Sequence, residues 1–316
     1  MSIDLSAIVV TFNSADSIER CLSSILPSSG GLQCEIIVVD NNSRDNTLSL
    51  VQKSDRVKVI ENGNNVGFAA ACNIGARAAT GTNLLFLNPD AYVLGGAIRN
   101  MASYESSVGG GSIIGGLVVD YNGNITPSVR SFPSLLNQLS EALFLYKLFP
   151  GSKRLGAYYY SNIGRDISIS VDAVEGSFLM IPRLVFKQLN GFDEHFFLYS
   201  EDTDLCYRAR KLNVPVIFFP GSRAVHAGQN ENARVSRRYI LAVHLAQLKF
   251  IRRHFSGFRR AGLETMKIAG LLIRVPLYLI MSVATLRLDL AKKSLFNLEA
   301  AVRGVFTSDI PSSLYR

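Results

Sequence analysis

Leu5 to Phe12 is an apolar, β-branched run, and the residues after it repeat at helical spacing: Ile18, Cys21, Leu22, Ile25 and Leu26, with Pro27 as the stop. This reads as a strand followed by a helix with one apolar face. The unit recurs as Glu35 to Asp40 with a helix through Leu48 and Val51. It recurs again as Val57 to Ile60 with a small-residue helix from Gly67 to Ala79, and Leu84 to Asn88 follows. Strands that are apolar throughout, alternating with helices, predict a parallel sheet covered on both faces. Ligands of such sheets bind beyond the carboxyl ends of the strands. Those ends carry Thr11-Phe12-Asn13, Asp40-Asn41-Asn42-Ser43, Asn62 to Asn65 and Asn88-Pro89-Asp90.

From about residue 110 to 182 the pattern is less regular, with Ser112 to Val119, a turn at Asn122-Gly123, the cluster Tyr158-Tyr159-Tyr160 and a strand from Val174 to Ile181. Mixed or antiparallel additions to the sheet are expected there. A last strand, Val214 to Phe219, precedes His226. Beyond residue 234 the spacing is helical, with Tyr239, Val243, Ala246 and Phe250 on one stripe. Residues 266 to 286 are the most apolar part, divided by Lys267, Arg274 and Pro276 and followed by Arg287. The uncharged stretch Val275 to Leu286 is shorter than the roughly 18 to 20 residues a membrane span requires. A helix lying in the lipid interface is therefore expected, with its Arg and Lys towards headgroups and Leu, Ile and Tyr towards the acyl chains, the bland alternative being a core helix docked on the preceding domain.

Composition sharpens the picture in two places. The chain has 316 residues, 48% apolar and 18% charged, enough for a large core and unlike a disordered chain. Its net charge of +8 comes from the region after residue 228, where Arg237, Arg238, Lys249, Arg252 and Arg253 begin a run of bases with few acids. The four cysteines, Cys21, Cys34, Cys72 and Cys206, form no C-x-x-C pair and sit among apolar neighbours. They read as reduced core residues, and the start Met-Ser-Ile-Asp has no signal-like pattern, so a cytoplasmic protein is expected.

Candidate chemistry gathers at two acidic corners. Glu201, Asp202 and Asp204 open a segment with helical spacing at Leu205, Ala209 and Leu212, so they fall on its first turn, where the helix dipole favours carboxylates. The other corner is Asn88-Pro89-Asp90. If both face one cleft, they describe a metal-assisted transfer site.

The ordered set resembles family 2 glycosyltransferases of the GT-A fold, in the branch of bacterial rhamnosyltransferases. The set is Ile8-Val9-Val10-Thr11-Phe12-Asn13, Val38 to Asp45, Asn64-Asn65-Val66-Gly67-Phe68 with Asn73 and Gly75, Asn88-Pro89-Asp90, Glu175 to Met180, Gly191-Phe192-Asp193-Glu194, Glu201 to Cys206 and Val225-His226. The family's D-x-D is Asn88-Pro89-Asp90 here, and the residues after His226 are Ala227-Gly228-Gln229-Asn230. The resemblance implies an α/β GT-A domain over residues 1–228, with a nucleotide-binding half to about residue 100 and an acceptor half from 101. Residues 229–316 then form a basic amphipathic helical region that associates with membrane.

By the same resemblance, Asp202 is the general base, with Glu201 and Asp204 in support. Asp90 and His226 hold Mg2+ or Mn2+. Thr11, Asn13, Asp40, Gly67, Asn73 and Asn88 bind the nucleotide or donor. The implied partners are a nucleoside-diphosphate sugar, dTDP-rhamnose foremost, a polyprenyl-diphosphate-linked acceptor and the inner face of the cell membrane, with no nucleic acid. Bland roles stand beside these: a turn-forming Asp90, an Asx turn at Asp40, a helix cap with Asp204 paired to Arg208, and close packing at Gly67 and Asn73. A UDP-sugar transferase is the alternative within the class. A dinucleotide-binding dehydrogenase lacks support, because Thr11-Phe12-Asn13 stands where G-x-G-x-x-G would. A non-catalytic membrane or nucleic-acid module would account for the basic tail but not for Asp90, Asp202 and His226 together.

Overall fold

The computed structural model describes residues 3–53, 56–160, 166–226 and 236–309. The chain divides into two compact units. One comprises residues 1–129, 165–197 and 201–228, and the other 130–164, 198–200 and 229–316.

In the first unit, β1 (Leu5–Thr11), β2 (Cys34–Asp40), β3 (Val57–Glu61) and β4 (Asn83–Leu87) pair in parallel in the order β3-β2-β1-β4. Every residue of β1 is buried, as expected of a strand covered on both faces. Helix α1 (Ile18–Ser29) packs Ile18, Cys21 and Ile25 into the core that holds Leu5, Ala7 and Val9. It runs past Pro27, which was expected to stop it. Pro27 and Ser23, whose carbonyl loses a donor to the proline ring, are at or near the surface, where water can replace the bond. A short α2 (Thr47–Val51) follows β2, and α3 (Phe68–Ala78) lies on the opposite face. There Gly75 comes so close that a Cβ would sit 2.6 Å from Ile8. Each Leu, Ile or Val buried in this way contributes about 1.5–3 kcal/mol.

The sheet is made mixed by β5 (Ala91–Val93), β6 (Ile113–Val119), the two-residue strand β8 (Ile169–Ser170), β10 (Phe178–Pro182) and β11 (Val216–His226), while the two-residue strands β7 (Val129–Arg130) and β9 (Ala173–Val174) pair with each other in a separate ribbon. β10 lies antiparallel to β4 and β6, β11 is parallel to β6, and β5 is antiparallel to β11 at the sheet edge. The strand expected from Val174 to Ile181 is thus broken at Glu175-Gly176-Ser177 into β9 and β10. The strand expected to end at Phe219 continues to His226. Its register shifts between Phe219 and Arg223, so Pro220-Gly221 forms a bulge instead of a terminus. Helices α4 (Ala97–Ser107), α7 (Arg183–Gln188) and α8 (Glu201–Lys211) complete the helices of this unit.

The second unit is helical: α5 (Leu135–Ala142), α6 (Leu145–Leu148), α9 (Arg237–His254), α10 (Gly257–Thr285) and α11 (Leu288–Phe306). Its core joins Ile240, Leu241, Leu245 and Leu248 of α9 to Leu271, Ala300 and Ala301. Of the expected stripe, Ala246 and Phe250 are buried and Tyr239 packs against this core, while Val243 is only half-buried and Ile240, Leu241, Leu245 and Leu248 widen the buried face. Helix α10 is continuous through Pro276, and among the described residues it is long and apolar enough, by length and composition, to cross a membrane. Only 22% of its most apolar window is buried. Leu277, Leu279, Ile280, Met281 and Val283 are exposed. The expectation that its bases face headgroups fails at Lys267 and Arg274, which are buried against Glu141 of α5.

Candidate active site

Register explains how two distant residues meet. Beyond its bulge, β11 pairs Ala224 with Val93 and His226 with Ala91, so the last residue of the strand arrives beside Asp90. His226 Nε2 is 2.9 Å from Asp90 Oδ1 and 3.3 Å from Asn88 Nδ2. One ring nitrogen carries either a proton or a lone pair, so it cannot satisfy a carboxylate and an amide nitrogen together. A cation beside Asp90 removes the conflict. Two ligand atoms at about 2.1 Å from Mg2+ on adjacent coordination positions lie about 3 Å apart, which matches this pair. Among the described residues no group of three His, Cys, Asp or Glu could hold a metal by itself. Two such ligands would leave room for phosphate oxygens and water, the arrangement Mg2+ favours.

Asn88 also hands this corner to its neighbour. Its N–H donates to Ser177 O at 3.1 Å. One residue back, the Gly176 N–H donates to Asp202 Oδ2 at 3.1 Å. Both acidic corners are thus fastened to the Glu175-Gly176-Ser177 turn that splits β9 from β10. Asp202 is buried in the first turn of α8, and its Oδ1 accepts from the Thr203 N–H at 2.6 Å and hydroxyl at 3.1 Å. Asp204 is fully buried and pairs with Arg208 at 2.7 Å, as the spacing predicted. The Arg208 guanidinium also reaches the carbonyls of Leu189 and Gly191, fixing the start of Gly191-Phe192-Asp193-Glu194. Glu201 is buried beside α3, where the Cys72 thiol is pushed well above its ordinary range, first by burial and then by the Glu201 charge. Burial pushes the Cys206 thiol up to about 12 and the Cys21 thiol higher still. None of these thiols is a nucleophile at neutral pH.

At the ends of β1 and β2, Asp40 is buried and its Oδ1 accepts from the Thr11 hydroxyl at 2.7 Å and the Ser43 hydroxyl at 2.6 Å. Its Oδ2 accepts from the Ser43 N–H at 2.8 Å. Asn13 joins the same cluster, donating its N–H to Ser43 Oγ and accepting from the Arg44 N–H. The turn expected as the bland role of Asp40 is therefore present, with Ser43 as a partner that sequence reasoning missed. Its signal was the three-residue spacing in Asp40-Asn41-Asn42-Ser43.

Gly67 and Asn73 serve a third cluster. Gly67 has φ +90°, and a Cβ there would lie 2.6 Å from Phe197 O, so only glycine fits without strain. The Phe68 N–H donates to that carbonyl, and the Asn41 amide donates to Gly67 O. Asn73 exchanges two hydrogen bonds with the Phe192 backbone and donates to Glu194. These two residues hold the aromatic segment 191–197 in place. Tyr199 and Ser200 precede α8 with φ +68° and +67°, a strained approach that no sequence signal announced. Residues 227–230, the departure noted after His226, lie outside the described residues.

Residues 6–156 match the family described as Glycosyl transferase family 2. Over 272 residues the chain is 27% identical to the N-acetylglucosaminyl-diphospho-decaprenol L-rhamnosyltransferase of Mycobacterium tuberculosis, covering 82% of this chain and 88% of the relative. Over 240 residues it is 28% identical to the low-salt glycan biosynthesis hexosyltransferase Agl10 of Haloferax volcanii, covering 75% of this chain and 71% of that one. Among solved structures, the mannosyltransferase PcManGT from Pyrobaculum calidifontis, in complex with GDP-Man and Mn2+, superposes with a TM-score of 0.60 at 17% identity over 97% of this chain and 88% of that one. That likeness is one of fold, and the sheet is of the GT-A kind. Over residues 6–156 the chain is thus similar to glycosyl transferase family 2, and a rhamnosyltransferase is among its relatives over most of its length.

Proposed function

We propose that this transferase moves L-rhamnose from dTDP-rhamnose to a saccharide carried on a polyprenyl diphosphate, with inversion at the anomeric carbon. It works at the inner face of the cell membrane in cell-surface polysaccharide synthesis. The observation that carries the reading is the attachment of the Asp90–His226 pair and the Asp202 carboxylate to one turn. The name of the mycobacterial relative supports the donor sugar and the acceptor class.

A carboxylate offers about four acceptor positions. Asp202 uses three of them, on the Thr203 N–H, the Thr203 hydroxyl and the Gly176 N–H, and the remaining one on Oδ2 takes the acceptor hydroxyl. Asp202 removes the hydroxyl proton as that oxygen attacks the anomeric carbon, and the bond from that carbon to the diphosphate oxygen breaks on the opposite face. Asp90 and His226 would hold Mg2+ or Mn2+, which when bound neutralises charge on the departing diphosphate. Asp40 has the same arithmetic, with three hydrogen bonds accepted and one position on Oδ2 for the N3–H of a thymine or uracil ring.

The test is a sugar-nucleotide panel against a polyprenyl-diphosphate-linked N-acetylhexosamine, with products weighed and chelator included. A product heavier by one deoxyhexose, formed only with dTDP-rhamnose and divalent cation, is expected. A hexosyl product from a UDP-sugar would replace the donor assignment, in keeping with the hexosyltransferase relative. No product from any donor would overturn the reading.

A further inference from the structure

Among its described residues the helical unit buries more positive than negative charge. Lys267 and Arg274 share the single carboxylate of Glu141, each at 3.4 Å, and Arg274 also donates to Glu141 O at 2.9 Å. Charge-assisted bonds are ordinarily about 2.7–2.9 Å, so one carboxylate is stretched between two cations. Burial alone would push the Glu141 carboxyl up, yet the two cations hold it below its ordinary value. One positive charge is left over. Burying an unmatched charge costs several kcal/mol, and further cations stand against the aromatic rings nearby. Lys293 lies 5.0 Å from the Tyr278 ring, Lys147 lies 5.7 Å from Phe144 and 6.0 Å from Tyr146, and Arg274 lies 5.4 Å from Phe144. The buried His244 Nδ1 has no hydrogen-bond partner among the described residues.

The elements that carry these cations also bear exposed apolar side chains: Leu143, Leu148 and Phe149 at or beside α6, and Leu277, Ile280 and Met281 on α10. A soluble acidic partner would be met by a solvated polar rim. Cations and bare hydrocarbon on the same elements complement a molecule with an anionic head and a long apolar chain.

We propose that Lys147, Arg274 and Lys293 seat the diphosphate of a polyprenyl-diphosphate acceptor, whose chain lies along Leu277, Ile280 and Met281. The choice of acceptor rests on the function proposed above, whereas the seat rests on the charges and the exposed hydrocarbon.

The full-length protein is mixed with phosphatidylcholine vesicles that are plain, doped with a polyprenyl diphosphate, or doped with phosphatidylglycerol to equal charge, and bound protein is read by flotation. Half-binding should require roughly tenfold less lipid with the diphosphate than with phosphatidylglycerol. The double variant Lys147→Gln/Lys293→Gln should lose that preference while Lys292→Gln keeps it, with circular dichroism confirming that each is folded. If the pair does not fold, Lys293→Gln alone is read in the same way. Equal binding to both anionic vesicles, or an undiminished preference in the lysine variant, overturns the seat. Asp202→Asn should be captured like the parent, because capture needs no turnover. Capture that depends on the lysines with no sugar transfer would remove the function and leave the seat. Transfer with capture indifferent to the lysines would do the reverse.

Discussion

Asp202 already accepts three hydrogen bonds, and all three hold it in one orientation. Replacing it with Asn keeps the shape but removes the basic oxygen. Asp202→Asn should therefore bind donor normally by calorimetry and turn over about 10²- to 10⁴-fold more slowly. Turnover within a factor of a few of the parent would dismiss Asp202 as the base. Asp90→Ala removes one of the two proposed cation ligands and leaves His226 facing Asn88. Activity should fall by about 10²-fold or more, with a matching loss of Mn2+ binding followed by paramagnetic resonance. Full activity in excess chelator would contradict the metal assignment. Thr11, Asn13 and Asp40 were legible as a group because they end adjacent strands. Gly67 and Asn73 were legible as important residues, but their partners lie more than a hundred positions away, beyond the reach of local spacing.

At the scale of elements, β1 to β4 could be read directly because a fully buried parallel strand is apolar throughout and each helix repeats one face. β11 could not, since Pro220-Gly221 looks like an end and becomes a bulge only when β6 and β5 supply partners on both sides of it. Helix α10 was misread for a related reason. Lys267 and Arg274 look like solvated charges until Glu141, 126 residues from Lys267, is folded against them. The same cations act on α9. Burial, then Lys267 and Arg274, push the His244 imidazole well below its ordinary value of 6.5. The unfolded chain then binds a proton below that pH that the folded chain refuses, so stability rises with pH up to about 6.5 and falls as pH drops below it. The slope is about 1.4 kcal/mol per pH unit. Urea midpoints taken between pH 7 and 5 should show it, and His244→Leu should flatten it. An equal slope in the variant would assign the effect elsewhere.

For the molecule as a whole, the exposed side chains of α10, α11 and the link between them include Val283, Leu286 and Leu288 at 77%, 89% and 78% exposure, a high density of bare hydrocarbon for a protein surface. The double variant Val283→Asp/Leu286→Asp should weaken binding to phosphatidylcholine vesicles by about tenfold or more, and unchanged flotation would deny this face a membrane role. Truncation near residue 233 would be a poorer probe, because it strips Glu141 of both its cations along with the exposed apolar residues. Part of the basic charge that marks this region in the sequence is answered within the same unit: Arg237 and Arg303 by Glu299, Arg252 and Arg260 by Glu264, Lys249 by Asp309. Glu299 and Glu264 each answer two bases with one negative charge, so a positive excess remains to pull on a bilayer from a distance. Adhesion should therefore weaken but persist as ionic strength rises from 0.1 M, where screening acts over about 10 Å, to 1 M, where it acts over about 3 Å. A peripheral protein held by oil as well as charge would stay partly on the bilayer through a high-salt wash and leave it fully in detergent.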